Sequence, residues 1–344
     1  MSLLQEDKIR NCGLVTQMLV STNTSQPAGN EADLVRKISA LFPEHLYRRI
    51  IDHGNNRASL ILRIDGKNRG GLAFVGHIDT VAFGEEKAWK YPPLEARIQD
   101  GVLYGRGAAD MKSGVAAMIT AAQCVVASGC TPLEDLYFCF TADEEACGTG
   151  VLAVMQSGEL ACVREFIIAE PSQLKMGLCE KGALWLRVHV EGQLAHGSRP
   201  QVGVNAVECL IEYRCRLQSA VDTNTRHPLL DTTTISTTGL HGGIMTNIIP
   251  AQAWMELDIR TLPSLSNARV IEIARKIGEE MERTHNHLHI HIEVLNDRIP
   301  VETAQDAPIV QRMRKTLESL SLPCETKGMY FYTDMSQIAL YTHA

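Results

Sequence analysis

The sequence predicts an α/β protein whose mainly parallel mixed sheet is interrupted by a smaller α+β domain. Short apolar runs alternate with helical stretches in the first half of the chain. The order strand, helix, strand, strand, helix, strand then follows residue 181. The 344 residues also exceed the size at which one core stops growing, about 250–300 residues. We therefore expect residues 1–180 and 297–344 to form one domain and residues 181–296 to form an insertion.

The first domain is predicted from four apolar runs of strand length, LILRI, LAFVG, LYFCF and EFIIAE. The clearest helix runs from Ser113 to Gly129, where small and apolar residues recur at helical spacing and Gly129 ends the pattern. Strands that alternate with helices in this way are typical of a mainly parallel sheet.

The inserted domain is predicted from six segments: ALWLRVHVEG, NAVECLIEYRCRLQSA, TTISTTGLHGG, AWMELDIRTL, NARVIEIARKIGEEMERTH and LHIHIEVL. Their order is that of the split βαβ, ferredoxin-like sandwich, which folds as its own unit.

Four histidines alternate around the last strand: His285, His287, His289 and His291. A metal site on that strand face is one interpretation. The alternate apolar residues of the same strand favour an ordinary strand that faces a core.

Composition and charge exclude several classes of function. The net charge is -7, with 33 basic and 40 acidic residues, and no basic block offers a footprint for nucleic acid. No apolar run approaches the roughly 20 residues of a membrane span, and MSLLQEDKIR lacks a signal pattern, so we expect no membrane contact and a cytoplasmic protein. Ten cysteines without a CxxC pair indicate reduced core thiols. Chemistry on a small molecule is the expectation that remains.

Acidic residues follow several predicted strand ends. Asp79 follows LAFVG, and Glu144 and Glu145 follow LYFCF. Glu170 ends EFIIAE, and Asp110 lies in the loop GRGAAD at a helix start. Strand ends form the ligand crevice of open α/β sheets, so these carboxylates are expected to converge. Converging carboxylates repel one another and raise each other's pKa unless a cation lies between them.

His77 adds a nitrogen donor to this set of oxygens. That combination favours zinc or a similar first-row ion over magnesium, and two ions that share one carboxylate would use more of the ligands. Each residue alone has an ordinary interpretation: His77 as a core histidine, Asp110 as a helix cap, Glu144 with Glu145 as a solvated loop. The joint pattern favours a metal centre.

Six motifs, in order, resemble a known enzyme family. GHIDTV, LYGRGAADMKSG, TADEEACGTG, IIAEPS, GQLAHGSRPQVGVNA and HGGIMTNIIPAQAWMELDIR are similar to those of acetylornithine deacetylases and succinyl-diaminopimelate desuccinylases. These are dinuclear zinc hydrolases related to aminoacylases and carboxypeptidases. The resemblance spans most of the chain and implies a zinc-peptidase-like catalytic domain with an inserted dimerisation, or lid, domain.

The resemblance implies roles for the strand-end residues. His77 and Glu170 match ligands of a first ion, Asp110 the ligand that bridges both ions, and Glu145 a ligand of the second ion. Glu144 matches the general base that takes a proton from a metal-activated water. Asp79 matches the acid that orients the imidazole of His77, since residues two apart on an extended chain point to the same side.

Three residues of the inserted segment match further family positions. His196 matches a histidine that reaches a partner subunit's active site and stabilises the oxyanion, which implies a homodimer. Asn247 and Arg260 match substrate contacts, and the planar guanidinium of Arg260 suits a carboxylate. A histidine after a strand and an arginine ending one are also common on protein surfaces.

The C-terminal stretch departs from the family pattern. The family takes a last histidine ligand of the second ion from a glycine-rich segment, whereas KGMYFYTDMSQIALYTHA contains only His343, nine positions after Asp334. We do not assign His343 as a ligand. The expectation is a truncated chain with a tight first site and a weakened second one.

The resemblance implies a metal-dependent amidohydrolase that removes an acyl group from a small N-acyl amino acid, with up to two zinc ions per subunit and cobalt as a possible substitute. An exopeptidase or dipeptidase of the same family is the nearest alternative. A non-catalytic relative that acts by binding or dimerisation is the alternative of another class. The acyl group, the amino acid and the native metal stay open.

Overall fold

The computed structural model describes residues 3–342, and the chain divides into two compact units. Unit 1 comprises Met1–Leu174 and Thr333–Ala344, and unit 2 comprises Lys175–Tyr332. The chain thus returns to unit 1 at Thr333 and not at the predicted residue 297. His343 lies outside the described residues.

The helices are α1 (Leu3–Ser21), α2 (Glu31–Ala40), α3 (Ser113–Ser128), α4 (Thr149–Gln156), α5 (Ala206–Ala220), α6 (Asn267–Thr284), α7 (Pro308–Ser319) and α8 (Met335–Ile338). The strands of the first part of the chain are β1 (Tyr47–Gly54), β2 (Arg57–Ile64), β3 (Asn68–His77), β4 (Arg97–Gln99), β5 (Val102–Tyr104), β6 (Glu134–Thr141), β7 (Glu165–Ile168), β8 (Met176–Glu180) and β9 (Ala183–Glu191). The remaining strands are β10 (Ala195–His196), β11 (Arg226–His227), β12 (Asp231–Thr232), β13 (Thr234–Gly242), β14 (Ile248–Ile249), β15 (Gln252–Arg260), β16 (His289–Arg298), β17 (Val301–Glu302) and β18 (Thr326–Met329).

The main sheet of unit 1 is mixed, with the strand order β1-β2-β6-β3-β7. β3 runs parallel to both β6 and β7, whereas the β1–β2 and β2–β6 pairings are antiparallel. The sheet is therefore half parallel, and the expectation of a mainly parallel sheet is wrong in this respect. Asn55 and Asn56 explain the difference: both have left-handed φ, 51° and 59°, as a two-residue hairpin turn requires.

The core of unit 1 lies on both faces of this sheet. Leu60 and Leu62 of β2 pack in the cluster that contains α3 residues such as Ile119. Ile61, between them, packs on the other face with Val151 of α4. Alternate residues of a strand point to opposite faces, so a strand covered on both sides reads as a continuous apolar run.

One helical stretch of the described residues, Ala108–Ser128, has the length, 21 residues, and the mean hydropathy, 1.2, of a membrane span. This corrects the expectation that no such run exists in the chain. The stretch packs into the core of unit 1 through Val115, Ile119 and Ala122, which accounts for its apolar composition. A core helix and a membrane span pass the same test of length and composition.

Unit 2 contains the predicted strand, helix, strand, strand, helix, strand order. Its four-stranded antiparallel sheet has the order β13-β15-β9-β16, and α5 and α6 contribute to the core on one face. Asn205 caps α5 and Ser266 caps α6 through side-chain oxygens that accept backbone N–H groups.

The histidine-rich strand has one core face, as its apolar residues predict. Ile290 and Ile292 pack against the core of unit 2, whereas His289 and His291 are exposed. His285 and His287 precede β16 and so do not share its face. His291 lies beside His189, with ring centroids 6.1 Å apart. Within residues 3–342, no set of metal donors with suitable spacing includes these histidines.

A second sheet explains where unit 2 ends. β8 pairs with β17 in antiparallel and with β18 in parallel orientation. These pairings hold residues 301–302 and 326–329 beside residues 176–180, inside unit 2. The catalytic and dimerisation roles of the two domains stay predictions.

Candidate metal centre

His77 is the last residue of β3, and its side chain is buried. Its main-chain N–H donates to the sulfur of Met111 at 3.2 Å. Its Nδ1 lies 3.1 Å from the main-chain oxygen of Asp79. A carbonyl oxygen can only accept, so Nδ1 carries the proton and Nε2 presents its lone pair when the ring is neutral.

Three carboxylates lie near the imidazole of His77, and two of them lie beside Nε2. Asp110 Oδ1 lies 3.2 Å from it and Glu170 Oε1 lies 3.6 Å from it. One donor atom each of His77, Asp110 and Glu145 lies within 4.8 Å of the other two. One imidazole nitrogen with several carboxylate oxygens is a donor set that zinc and related ions accept. The residues present therefore fit a metal ion, and the predicted ligands converge.

The Asp110 carboxylate is 56% exposed, but the residues after it are anchored. Met111 is fully buried in the core of unit 1. The ammonium group of Lys112 is also buried and donates to the main-chain oxygens of Leu19 and Thr22 at 3.0 and 2.9 Å. These contacts fix the backbone from which Asp110 reaches His77.

Asp79 connects the end of β3 to the loop after β6. Its Oδ1 accepts the main-chain N–H of Glu144 at 3.1 Å, and its Oδ2 accepts that of Glu145 at 3.2 Å. Oδ1 also lies 3.6 Å from Nδ1 of His77, farther than the main-chain oxygen of Asp79. The Asp79 backbone therefore makes the closer contact with the imidazole, and the carboxylate fixes the loop that carries Glu144 and Glu145.

Burial raises the pKa of all three glutamates of the site. Burial and the charges of Asp110, Asp334 and Glu145 raise the pKa of Glu170 to about 8, against a smaller lowering effect of His77. Burial likewise raises the pKa of Glu144 well above its usual value, and that of Glu145 in the same direction. Carboxyl groups with raised pKa values that face one another are characteristic of sites that bind cations or transfer protons.

Burial alone would lower the pKa of His77, but its hydrogen bonds with Asp110 and Asp79 and nearby negative charge raise it well above 6.5. Burial would raise the pKa of Asp79, but the hydrogen bond and charge of His77 and the amide of Gln26 lower it. Without a metal the protonated imidazole is thus the cation that the carboxylates share.

Asp334 is a buried carboxylate of the site that no sequence pattern indicated. Its Oδ2 accepts the hydroxyl of Thr141 at 2.6 Å, and Thr141 is the last residue of β6. Its charge contributes to the raised pKa values of Glu144 and Glu170. Asp334 and Thr141 are 193 positions apart, so neither periodicity nor local motif could reveal the contact.

The remaining predicted residues belong to unit 2. His196 pairs with Ile248 across β10 and β14, and the N–H of Gly197 donates to the main-chain oxygen of Asn247 at 2.7 Å, so His196 and Asn247 lie on adjacent chain segments. Arg260 is the last residue of β15, whereas β14 lies just before the first residue of that strand.

Two of these side chains already have partners. Arg260 donates Nε and Nη2 to the carboxylate of Asp258 at 2.8 and 3.1 Å. His196 is exposed, and its Nδ1 accepts the N–H of Ser198 at 3.2 Å, which leaves the proton of the neutral ring on Nε2. Their roles in binding a substrate or an oxyanion stay predictions.

Comparisons with known proteins show which family the chain resembles. Residues 73–343 match the model of Peptidase family M20/M25/M40. A probable succinyl-diaminopimelate desuccinylase of Staphylococcus epidermidis is 25% identical over 339 residues, which cover 91% of this chain and 81% of that protein. An acetylornithine deacetylase of Pasteurella multocida is 31% identical over 275 residues, which cover 77% of this chain and 69% of that protein.

Solved structures share the fold. A tripeptidase of Staphylococcus aureus superposes with a TM-score of 0.72 at 18% identity, covering 96% of this chain and 87% of that one. A dinuclear metal binding peptidase of Bacillus subtilis gives a TM-score of 0.66 at 16% identity, covering 98% and 87%. The family match includes every predicted metal ligand and well over half of the sequence, and the chain therefore belongs to peptidase family M20/M25/M40, a family of hydrolases.

Proposed function

We propose that the protein is a metal-dependent amidohydrolase that removes the acyl group from a small N-acyl amino acid, as deacetylases and desuccinylases do. The observation that carries the proposal is the buried Nε2 of His77, which faces Asp110, Glu170 and Glu145 beside a further buried acid, Glu144. A metal centre with an adjacent proton acceptor is what hydrolysis of an amide requires.

His77, Asp110, Glu145 and Glu170 would hold the metal, with Asp110 between two ions if both sites fill. When bound, a zinc or cobalt ion supplies a Lewis acid for the amide carbonyl and lowers the pKa of water. A bound cation would offset the burial and the carboxylate repulsion that raise the pKa of Glu170 and Glu145. The carboxylates then stay ionised at neutral pH.

Glu144 is the proposed proton carrier. Its side chain is buried, and the contact between its N–H and Asp79 fixes its backbone. Its raised pKa brings the carboxyl group toward the pH at which it can both accept a proton from water and donate one to the departing amine. An ordinary exposed glutamate would be a weaker base at neutral pH.

Unit 2 supplies the proposed substrate contacts. His196 would donate its Nε2–H to the oxyanion that forms on the substrate in the active site of a partner subunit, which requires a homodimer. Arg260 would bind a substrate carboxylate through Nη1 or in exchange for Asp258, since its Nε and Nη2 are engaged. Asn247 would contact the same substrate. The names of the Staphylococcus epidermidis and Pasteurella multocida relatives support an acyl amino acid as substrate. A role in cytoplasmic amino-acid metabolism is part of the same proposal.

A substrate panel tests the proposal. Zinc-loaded and cobalt-loaded protein is incubated with N-acetylornithine, N-succinyl-diaminopimelate and simple dipeptides, and released amine is quantified. Glu144→Gln should slow release about 10²–10⁴-fold, whereas Glu134→Gln, an exposed matched control on β6, should not. Cleavage of dipeptides alone would favour the exopeptidase alternative. Folded, metal-loaded protein without activity on any of them would contradict the proposal and favour a binding role.

A further inference from the structure

Gln26 lies beside the metal centre because its backbone is paired with the residues after β3. The N–H of Gln26 donates to the main-chain oxygen of Thr80 at 2.8 Å, and the N–H of Thr80 donates to that of Thr24 at 3.1 Å. The hydroxyl of Thr24 donates to the main-chain oxygen of Ile78 at 2.7 Å. These three bonds hold residues 24–26 alongside residues 78–80 and place the side chain of Gln26 next to Asp79.

The amide of Gln26 bridges two buried carboxylates. Its Nε2 donates to Asp79 Oδ2 at 2.8 Å and to Asp143 Oδ1 at 3.4 Å. Asp79 is fully buried and Asp143 is 3% exposed. A carboxamide supplies two N–H donors without a charge, so it can lie between two acids where a third acceptor would be repelled.

Asp143 is the fixed end of this bridge. Arg57 Nη1 lies 2.9 Å from its Oδ1, and the same guanidinium forms two hydrogen bonds with the fully buried Glu31. Asp143 Oδ2 accepts both the N–H and the hydroxyl of Thr149, at 3.2 and 2.7 Å. Charged and multiple hydrogen bonds of this kind hold a side chain in one orientation.

Asp79 is the other end of the bridge, and it faces the metal ligands. Its two oxygens accept the N–H groups of Glu144 and Glu145, and its main-chain oxygen contacts His77. A continuous path of hydrogen bonds therefore leads from the Arg57 ion cluster through Gln26 and Asp79 to the metal centre. Gln26 is an uncharged side chain between two carboxylates of this path.

We propose that Gln26 is a positioning residue that holds Asp79 in the orientation required by the metal centre. Its amide fixes the Asp79 carboxylate, which in turn fixes the backbone of Glu144 and Glu145 relative to His77. The inference rests on the proposed metal-dependent function for its effect on ligand affinity. Its effect on the loop of residues 142–149 is present without metal.

The test replaces Gln26 by methionine, which keeps the length of the side chain and removes its donors. Cobalt affinity, measured by absorption titration, should fall roughly 10–100-fold, the loss that follows removal of a group that orients a metal ligand. Amide exchange of residues 142–149 in metal-free protein should accelerate, because Asp79 holds the N–H groups of Glu144 and Glu145 less firmly. Gln17→Met is the matched control, since Gln17 donates to the main-chain oxygen of Ala96 away from these ligands.

Asp143→Asn provides an independent variant, since it keeps the side-chain volume and weakens the acceptor that Gln26 and Arg57 share. Asp143→Asn should also lower cobalt affinity and accelerate amide exchange of residues 142–149. If Gln26→Met does not fold, these two measurements on Asp143→Asn test the proposed role of Gln26. Wild-type affinity and wild-type exchange in the folded variants would overturn the inference. If the wild type binds no metal, the proposed function fails, and loop exchange alone decides the role of Gln26.

Discussion

Replacing Glu170 by glutamine should stabilise the metal-free protein at alkaline pH. Glu170 is buried, and its pKa is raised to about 8 from an ordinary 4.5 by burial and by neighbouring carboxylates. At about 1.36 kcal/mol per pH unit, this difference makes the ionised group cost roughly 5 kcal/mol in the folded state. The variant does not recover all of this energy, because it also loses the attraction between Glu170 and His77. We expect a net stabilisation of about 2–4 kcal/mol after that discount.

The sign of the pH dependence follows from proton binding. Between pH 4.5 and about 8 the folded protein retains the Glu170 proton that the unfolded chain has lost. Stability therefore falls as pH rises through this window in the wild type. The cost is absent well below pH 4.5, where both states are protonated, and it is complete above about pH 8. The glutamine variant lacks this contribution at every pH.

Tryptophan fluorescence can follow unit 1 separately. Trp89 is its one tryptophan, and the other two, Trp185 and Trp254, lie in unit 2. Urea unfolding of a Trp185→Phe, Trp254→Phe background, with chelator, should show the variant equal to its parent near pH 5 and more stable at pH 8.5. Zinc should reverse the order at pH 8.5, since ionised Glu170 is a ligand. A variant that is no more stable than its parent at pH 8.5 with chelator would refute the reasoning.

Three further predictions concern the chemistry and unit 2. Glu144→Gln should lower kcat about 10²–10⁴-fold while cobalt affinity, read by absorption, stays within threefold, since it removes a proton carrier and no ligand; a matching loss of cobalt binding would assign it as a ligand instead. His196→Ala should lower kcat about 10²–10³-fold. Mixing His196→Ala subunits with Glu144→Gln subunits should restore activity only if His196 acts in the active site of a partner subunit. Mixtures as inactive as the two separate variants would contradict that role. Arg298→Met should raise the free energy of unfolding of unit 2 by about 1–4 kcal/mol, because the buried guanidinium has no hydrogen-bond partner within residues 3–342, and its Cζ lies 5.2 Å from the centroid of the Tyr332 ring. Urea unfolding followed by Trp185 and Trp254 checks the last of these, and a destabilised variant would show that Arg298 has a partner.

The sequence predicted that the candidate metal ligands converge because their positions follow from strand ends. His77 ends β3, Glu144 and Glu145 follow β6, and Glu170 follows β7, and these three strands are parallel neighbours. Carboxyl ends of adjacent parallel strands must meet at one edge of the sheet. Local apolar pattern was therefore sufficient to bring these side chains together, and the metal chemistry followed from their types.

The residues that support the ligands could not be predicted in this way. Gln26 meets Asp79 across 53 positions, and Arg57 reaches Asp143 from a hairpin that no apolar pattern distinguished from a βαβ strand. Asp334 meets Thr141 across 193 positions. Contacts of this kind depend on tertiary packing that periodicity does not encode. The predicted boundary at residue 297 differs from the compact-unit boundary at Thr333 for a related reason, since the strands that keep residues 301–329 in unit 2 are two to four residues long.

An anomalous-scattering map of zinc-soaked crystals tests the metal centre most directly. We expect a peak between Nε2 of His77 and the carboxylates of Asp110 and Glu170, at about 2.0–2.2 Å from each donor atom. A second peak, if present, should lie between Asp110 and Glu145. Zinc bound elsewhere with none beside His77, or Asp110 and Glu170 turned away from His77, would contradict the account.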